Sequence, residues 1–342
     1  MDGHGRGWRG VSGSANDYPD DAGGERPVSA TPEMGLFLVG AERSGTTMLR
    51  LMLGHHPMLA WQNEFEYSVD RVGNDGAYPE PDAYRRFLSM HRIFRANGYE
   101  IDDNLSYPDL MRSFLDQCRA RAGKPLVGAT VHRRYERILH VWPDARFVHL
   151  VRDPRDVAPS VVQMGWAGNV YHACKRWLDA ERAWDRVAER VGADRFIELR
   201  FERLLEDPAG ELGRLCDFIG IPFDDAMLAF HETTTYSPPD PSASQRWKSR
   251  LSPRDVRLVE GRLGGLIERR GYELSGKAPL VPGRLGRAVL KAQNKAAHVR
   301  WNIDRYGLGL YLKAQVTKRF SSGKAWPGVK RRLDEIDRKH LK

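Results

Sequence analysis

Cysteine is scarce in this chain of 342 residues: Cys118, Cys174 and Cys216 are too widely spaced for a zinc cluster or a disulfide framework. That usage fits a reducing, cytoplasmic setting, and no metal site is expected. Residues 1–32, rich in Gly, Asp and Ser, lack any apolar run that would serve as a signal peptide or membrane span, and are expected to be disordered. An even spread of charge is also lacking. The net +9 comes from residues 276–342, where 17 Lys and Arg stand against 4 Asp and Glu, a balance of +13; the other 37 basic and 41 acidic residues give −4. The body is therefore not a basic nucleic-acid-binding domain, and any electrostatic partner belongs to the tail.

What the chain does have is strands alternating with helices. Gly35 to Val39 is a short apolar run without alternation, followed by a glycine-bearing turn and a helical stretch from Thr46 that Pro57 stops. A second such run, Arg146 to Val151, ends at Arg152-Asp153-Pro154-Arg155, after which Asp156 to Met164 reads as helix. Tyr171 to Arg190 is a long helix whose Trp177 and Trp184, one heptad apart, are assigned to the core. Phe196 to Leu199 is a further strand, and Asp207-Pro208 caps and opens a helix through Phe218. The pattern predicts an α/β fold with a parallel sheet covered on both faces, whose ligands sit beyond the carboxyl ends of the strands.

Gly40 to Thr47 (Gly-Ala-Glu-Arg-Ser-Gly-Thr-Thr) keeps the G-x-x-x-x-G spacing of a Walker loop, but Thr46 stands where an NTPase carries lysine. Backbone N–H groups at a helix start converge on an anion, and the helix dipole adds positive charge there. Arg43 can supply the missing cation as a planar fork, and Ser44, Thr46 and Thr47 add hydroxyls. Such a loop binds phosphate yet makes a poor ATPase, and no clear Mg²⁺ carboxylate accompanies it. Taken alone it is equally an ordinary strand–turn–helix.

These residues resemble the sulfotransferases that use 3′-phosphoadenosine 5′-phosphosulfate (PAPS), in their bacterial carbohydrate-type and tyrosylprotein-type branch. The likeness rests on Arg43-Ser44-Gly45-Thr46-Thr47, continues through Leu49, Arg50, Leu53 and His56-Pro57, and returns in Arg152-Asp153-Pro154-Arg155 with Ser160. It covers about residues 34 to 274. It implies a P-loop-like three-layer sandwich over 33–275, with a basic helical extension over 276–342. It also implies that the first loop, Arg43 to Thr47 with Gly45, holds the 5′-phosphosulfate, while Arg152 and Ser160 hold the 3′-phosphate. Glu64, seven residues past Pro57, takes the position of the family's general base, and its neighbours Trp61 and Phe65 are expected to desolvate it. Glu66 is the alternative, on the same face if the segment is extended.

The chain also departs from the family. No lysine occupies the segment Val127 to Arg134 where the family assists the leaving phosphate; His132, placed just past a strand end, is the first candidate to replace it, ahead of Lys124 and Arg133. Phe201 stands for a tyrosine near adenine, keeping stacking and losing the hydroxyl. Arg246-Trp247-Lys248 resembles the late loop that closes over the donor, with the two cations on phosphate and the indole on the base. The expected activity is transfer of a sulfuryl group from PAPS to an acceptor hydroxyl on a carbohydrate, lipid-linked glycan or small metabolite rather than on protein tyrosine. The alternative is a non-catalytic nucleotide-bisphosphate-binding or scaffold protein. Acceptor choice is assigned to the segments Tyr67–Tyr107 and Gly165–Tyr171. For the tail two readings stand: helices packed on the body with a solvated basic face, or an interfacial element that brings the protein to an anionic membrane.

Overall fold

A computed structural model describes residues 35–320 and 325–340; the segment 1–32, expected to be disordered, lies outside the described residues. Five strands, β1 (Leu36–Val39), β2 (Leu59–Gln62), β3 (Leu126–Val131), β4 (Arg146–Val151) and β5 (Phe196–Arg200), form one parallel sheet in the order β2-β3-β1-β4-β5. Alternate residues feed two cores. Phe37, Val39 and Phe147 pack on one face with Trp177 and Trp184, whereas Leu38, Val148 and Leu150 pack on the other with Leu49, Met52 and Phe201. Burial on both faces is why these strands read as unbroken apolar runs. Trp177 and Trp184, both essentially inaccessible, each contribute about 4–6 kcal/mol of transfer free energy.

The helices start where their caps dictate. The helix α1 (Thr46–His55) follows the turn after β1, and α2 (Tyr107–Ala122) is capped by Ser106. The helix α3 (Pro154–Gln163) begins two residues before its expected start, because the Asp153 carboxylate accepts from the Arg155 amide and Pro154 suits the first helical position. Asn169 caps α4 (Val170–Ala188). A short α5 (Phe201–Glu206) leads to α6 (Pro208–Ile219), capped by Asp207 as expected, and Ser252 caps α7 (Pro253–Leu263).

Three tail helices follow: α8 (Arg284–Tyr306), α9 (Leu308–Phe320) and α10 (Trp326–His340). The tail packs on the body. Leu290 is buried, the Asn169 side-chain Nδ2 donates to the Leu290 carbonyl at 2.8 Å, the Gly168 backbone amide donates to Asn294 Oδ1 at 2.7 Å, and Trp301 lies against Gly165. Asp334 of α10 pairs with Arg95 at 3.1 Å.

In the sheet, Val39 is level with Val131 and His149. The loop after β1, His132 after β3 and Arg152 after β4 therefore emerge side by side, at the point where the chain leaves β1 in both directions across the sheet.

Candidate active site

The loop after β1 is shaped by two close approaches. A Cβ on Gly40 would sit 2.4 Å from the Leu150 carbonyl oxygen, and one on Gly45, at φ 95°, would sit 2.2 Å from the Phe201 ring. Only glycine fits either position. No side chain caps α1, so its first amides are open toward the loop. Arg43 takes φ 74°, a strained conformation for a residue with a side chain, worth about 1–3 kcal/mol and typical of ligand clamps. Glu42 is turned away, its carboxylate held at 2.9 Å by Arg176.

The two motifs meet. Arg43 Nε donates to Ser160 Oγ at 2.9 Å, and Arg152 Nη1 reaches the Arg43 carbonyl at 3.4 Å. The Arg152 guanidinium lies 4.3 Å over the Phe201 ring, so Phe201 supports both the loop at Gly45 and the second motif's arginine. Ser44 Oγ and Arg152 Nε are buried without a hydrogen-bond partner among the described residues. Two such donors beside open helix amides suit a phosphorylated ligand, because a buried donor left unpaired carries a desolvation penalty. Arg155 plays no such part: Asp153 holds it at 2.7 Å and Glu260 at 2.9 Å, and it lies 3.9 Å over Trp247.

Of the three cations considered in place of lysine, His132 is the one brought to the loop. Its Nε2 lies 3.0 Å from Thr46 Oγ1, and its Nδ1 lies 2.7 Å from Glu66 Oε1, which also accepts from the His132 amide at 3.1 Å. Burial pushes both groups toward neutrality, yet their mutual hydrogen bond and opposite charges win: His132 is raised above, and Glu66 held below, the ordinary range. The pairing thus favours the imidazolium form of the ring that faces Thr46. Lys124 precedes β3, at the opposite end of the sheet, with its ammonium on the Gly54 and His56 carbonyls. Arg133 is bound to Asp70 at 2.6 Å.

Glu64 and Glu66 do not share a face. Glu64 takes φ 46°, breaking the extended segment that would have aligned them, and Glu66 begins a single 3-10 turn with its side chain buried. The expected shelter of Glu64 is also missing. Trp61 donates to Thr130 at 2.8 Å, Phe65 faces the core, and the Glu64 side chain is 49% exposed with Arg92 at 3.8 Å. The sequence points to Glu64 by count from Pro57; nothing local marks Glu66, whose partner is 66 residues away.

The late loop is held beside the second motif. The Trp247 amide donates to Asp156 at 2.7 Å, its ring covers Arg155, and Lys248 Nζ is 5.8 Å from that ring. Arg246 is engaged by the Ser242 carbonyl at 3.0 Å and by Asp240 at 3.6 Å.

A sequence model described as the sulfotransferase family matches residues 35–225, more than half of the chain. This chain belongs to the sulfotransferase family. Among curated relatives, the omega-hydroxy-beta-dihydromenaquinone-9 sulfotransferase of Mycobacterium tuberculosis is 27% identical over 266 residues, covering 69% of this chain and 62% of the relative. Protein-tyrosine sulfotransferase 1 of Danio rerio is 22% identical over 282 residues, covering 71% and 74%. This sulfotransferase-family chain thus spans less than two thirds of the mycobacterial relative. Its fold is that of the sulfotransferase domain of the Synechococcus PCC 7002 olefin synthase (TM-score 0.53, 23% identity, 72% of this chain and 98% of that one) and of the sulfotransferase domain from the curacin biosynthetic pathway (TM-score 0.53, 18% identity, 72% and 100%).

Proposed function

We propose that this chain transfers a sulfuryl group from PAPS to an acceptor hydroxyl. The observation that carries the reading is the convergence of Arg43, Ser44, Arg152 and Ser160 on a lysine-free loop where β1 and β4 end. In this reading Arg43, Ser44 and the first amides of α1 hold the 5′-phosphosulfate, and Arg152 with Ser160 holds the 3′-phosphate. Glu64 takes the proton of the acceptor hydroxyl as that oxygen attacks sulfur. The bond from sulfur to the bridging phosphate oxygen breaks in line, and adenosine 3′,5′-bisphosphate (PAP) departs with the electron pair. Arg43 and the His132 imidazolium, relayed through Thr46, stabilise the charge that grows on the leaving phosphate. The Trp247 loop flanks the nucleoside, and Phe201, buried rather than open to adenine as the resemblance implies, backs Gly45 and Arg152. The half-exposed Glu64 leaves a base accessible to a solvated acceptor, and a mycobacterial relative is named for a hydroxylated menaquinone. The acceptor proposed is a carbohydrate, a lipid-linked glycan or a small metabolite rather than protein tyrosine; the mycobacterial relative's name supports a non-protein hydroxyl, whereas the Danio rerio relative is named for protein tyrosine.

Calorimetric titration of PAP and ATP tests the donor assignment. The expected outcome is PAP binding at least about tenfold tighter than ATP, and weakened about 10- to 100-fold by Arg152→Ala, the loss of one charge-assisted pair. Equal affinity for PAP and ATP, or an Arg152→Ala variant that binds PAP like wild type, would sink the assignment.

A further inference from the structure

The tail helix α8 spends only one face on the body, through Leu290, Asn294 and Trp301. Along another face, Leu285, Val289, Ala292, Ala296, Val299 and Ile303 recur at alternating steps of four and three, which places them on a single apolar stripe. Leu285 is 84% exposed and Val289 54%. A shallow groove of about 590 Å³ lies along the Ala292–Ile303 half of the stripe. The next helix adds exposed apolar residues of its own, Leu308, Leu312 and Val316, each more than half exposed. A stripe of this length on a folded chain marks a surface made to be covered.

Charge selects the occupant. From Gly276 to Phe320 there are ten Lys and Arg, against Asp304 as the sole acid. Arg284, Lys291 and Lys295 each precede a stripe residue by one position and so line one border of the stripe. Pairing with a second copy would set two strongly cationic helices side by side, whereas anionic headgroups attract them. No helix among the described residues is long and apolar enough to cross a membrane, which leaves a helix lying on the surface. We propose that α8 and α9 form an interfacial docking surface for an anionic lipid bilayer, the stripe entering the headgroup–acyl boundary and the bordering cations meeting lipid phosphates. Because α8 also packs on Gly165, Gly168 and Asn169, the bilayer is tied to the side of the body that carries the Gly165–Tyr171 segment. The inference does not depend on the sulfuryl-transfer reading.

The test is flotation of the full-length chain with phosphatidylcholine vesicles, with and without phosphatidylglycerol, for wild type and a Leu285→Glu/Val289→Glu/Leu312→Glu variant. All three positions are exposed, so an unchanged thermal melt controls for folding. Wild type is expected to float with phosphatidylglycerol vesicles at least tenfold more than with phosphatidylcholine alone, and to be released by high salt. The triple variant should lose at least tenfold in bound fraction, and Lys295→Ala alone about fivefold. Equal flotation of wild type and variant, or no flotation with either vesicle, overturns the proposal. So does sedimentation velocity showing a dimer that the same substitutions dissociate while vesicles stay unbound.

Discussion

Replacing Glu66 by glutamine keeps the shape and one acceptor oxygen but removes the charge that holds His132 as an imidazolium. The partners are 2.7 Å apart and largely buried. A hydrogen bond to a charged group in such a place is worth about 1.5–3 kcal/mol, and that is the expected loss. Its pH dependence follows from the opposed shifts. Glu66 is held down, first against burial, by its bond to His132 and by the charges of His132 and Arg133, so its contribution is present above the unfolded value of about 4.3 and fades as pH falls through the lower folded value. His132 is raised, again against burial, by its bond to Glu66 and by the charges of Glu66, Glu42 and Glu64. Its contribution is therefore full below about 6.5 and fades as pH rises through the higher folded value. The stability lost on Glu66→Gln should thus peak between about pH 4.3 and 6.5 and shrink on both sides. Urea unfolding from about pH 3 to about pH 9, well beyond both ends of that range, with His132→Gln and the double variant completing a cycle, measures it; a coupling energy near zero, or a loss that stays the same at both extremes of pH, would refute the ion pair. In the same variant PAP affinity should fall more at neutral than at acidic pH, since the uncompensated imidazole is neutral at pH 7.

Other substitutions separate support from ligand contact. Gly45→Ala forces a side chain into the Phe201 ring at a positive φ, so the loop must shift; calorimetry should find PAP binding weakened at least about tenfold, with a lowered melting temperature. Arg155→Ala leaves Asp153 and Glu260 buried without their cation, and denaturant unfolding should show a loss of about 3–5 kcal/mol. Arg152→Lys removes a planar fork stacked on Phe201; its melting temperature should stay close to wild type while PAP affinity drops.

The sheet was largely legible in the sequence because strands buried on both faces leave unbroken apolar runs, as at Phe37–Val39 and Phe147–Val151. The loop and the second motif were legible because each is continuous in the chain. Features made by distant residues were not. The Glu66–His132 bond spans 66 positions, and the occupation of Arg155 by Glu260 spans 105. Glu64 illustrates a local failure: apolar neighbours suggested desolvation, but a left-handed turn sends Phe65 inward and the carboxylate outward. His132 ranked ahead of Lys124 as a replacement for the family lysine because it follows a strand end, and β3, lying between them, puts the two at opposite ends of the sheet. In the tail, the charge count gave the basic character, and only the folded helix separated the face spent on the body from the stripe left open.

The central claim is sulfuryl transfer, and its most direct measurement follows radiolabelled sulfate from PAPS into a mixed pool of carbohydrate, lipid and small-molecule hydroxyl acceptors. Wild type is expected to label an acceptor and release PAP. Glu64→Gln should bind PAP as wild type does and lose at least about 100-fold in labelling, the scale of a missing general base. Intact PAP binding with no labelled acceptor would leave a nucleotide-binding protein without transfer, and full activity in Glu64→Gln would contradict the assignment of the base.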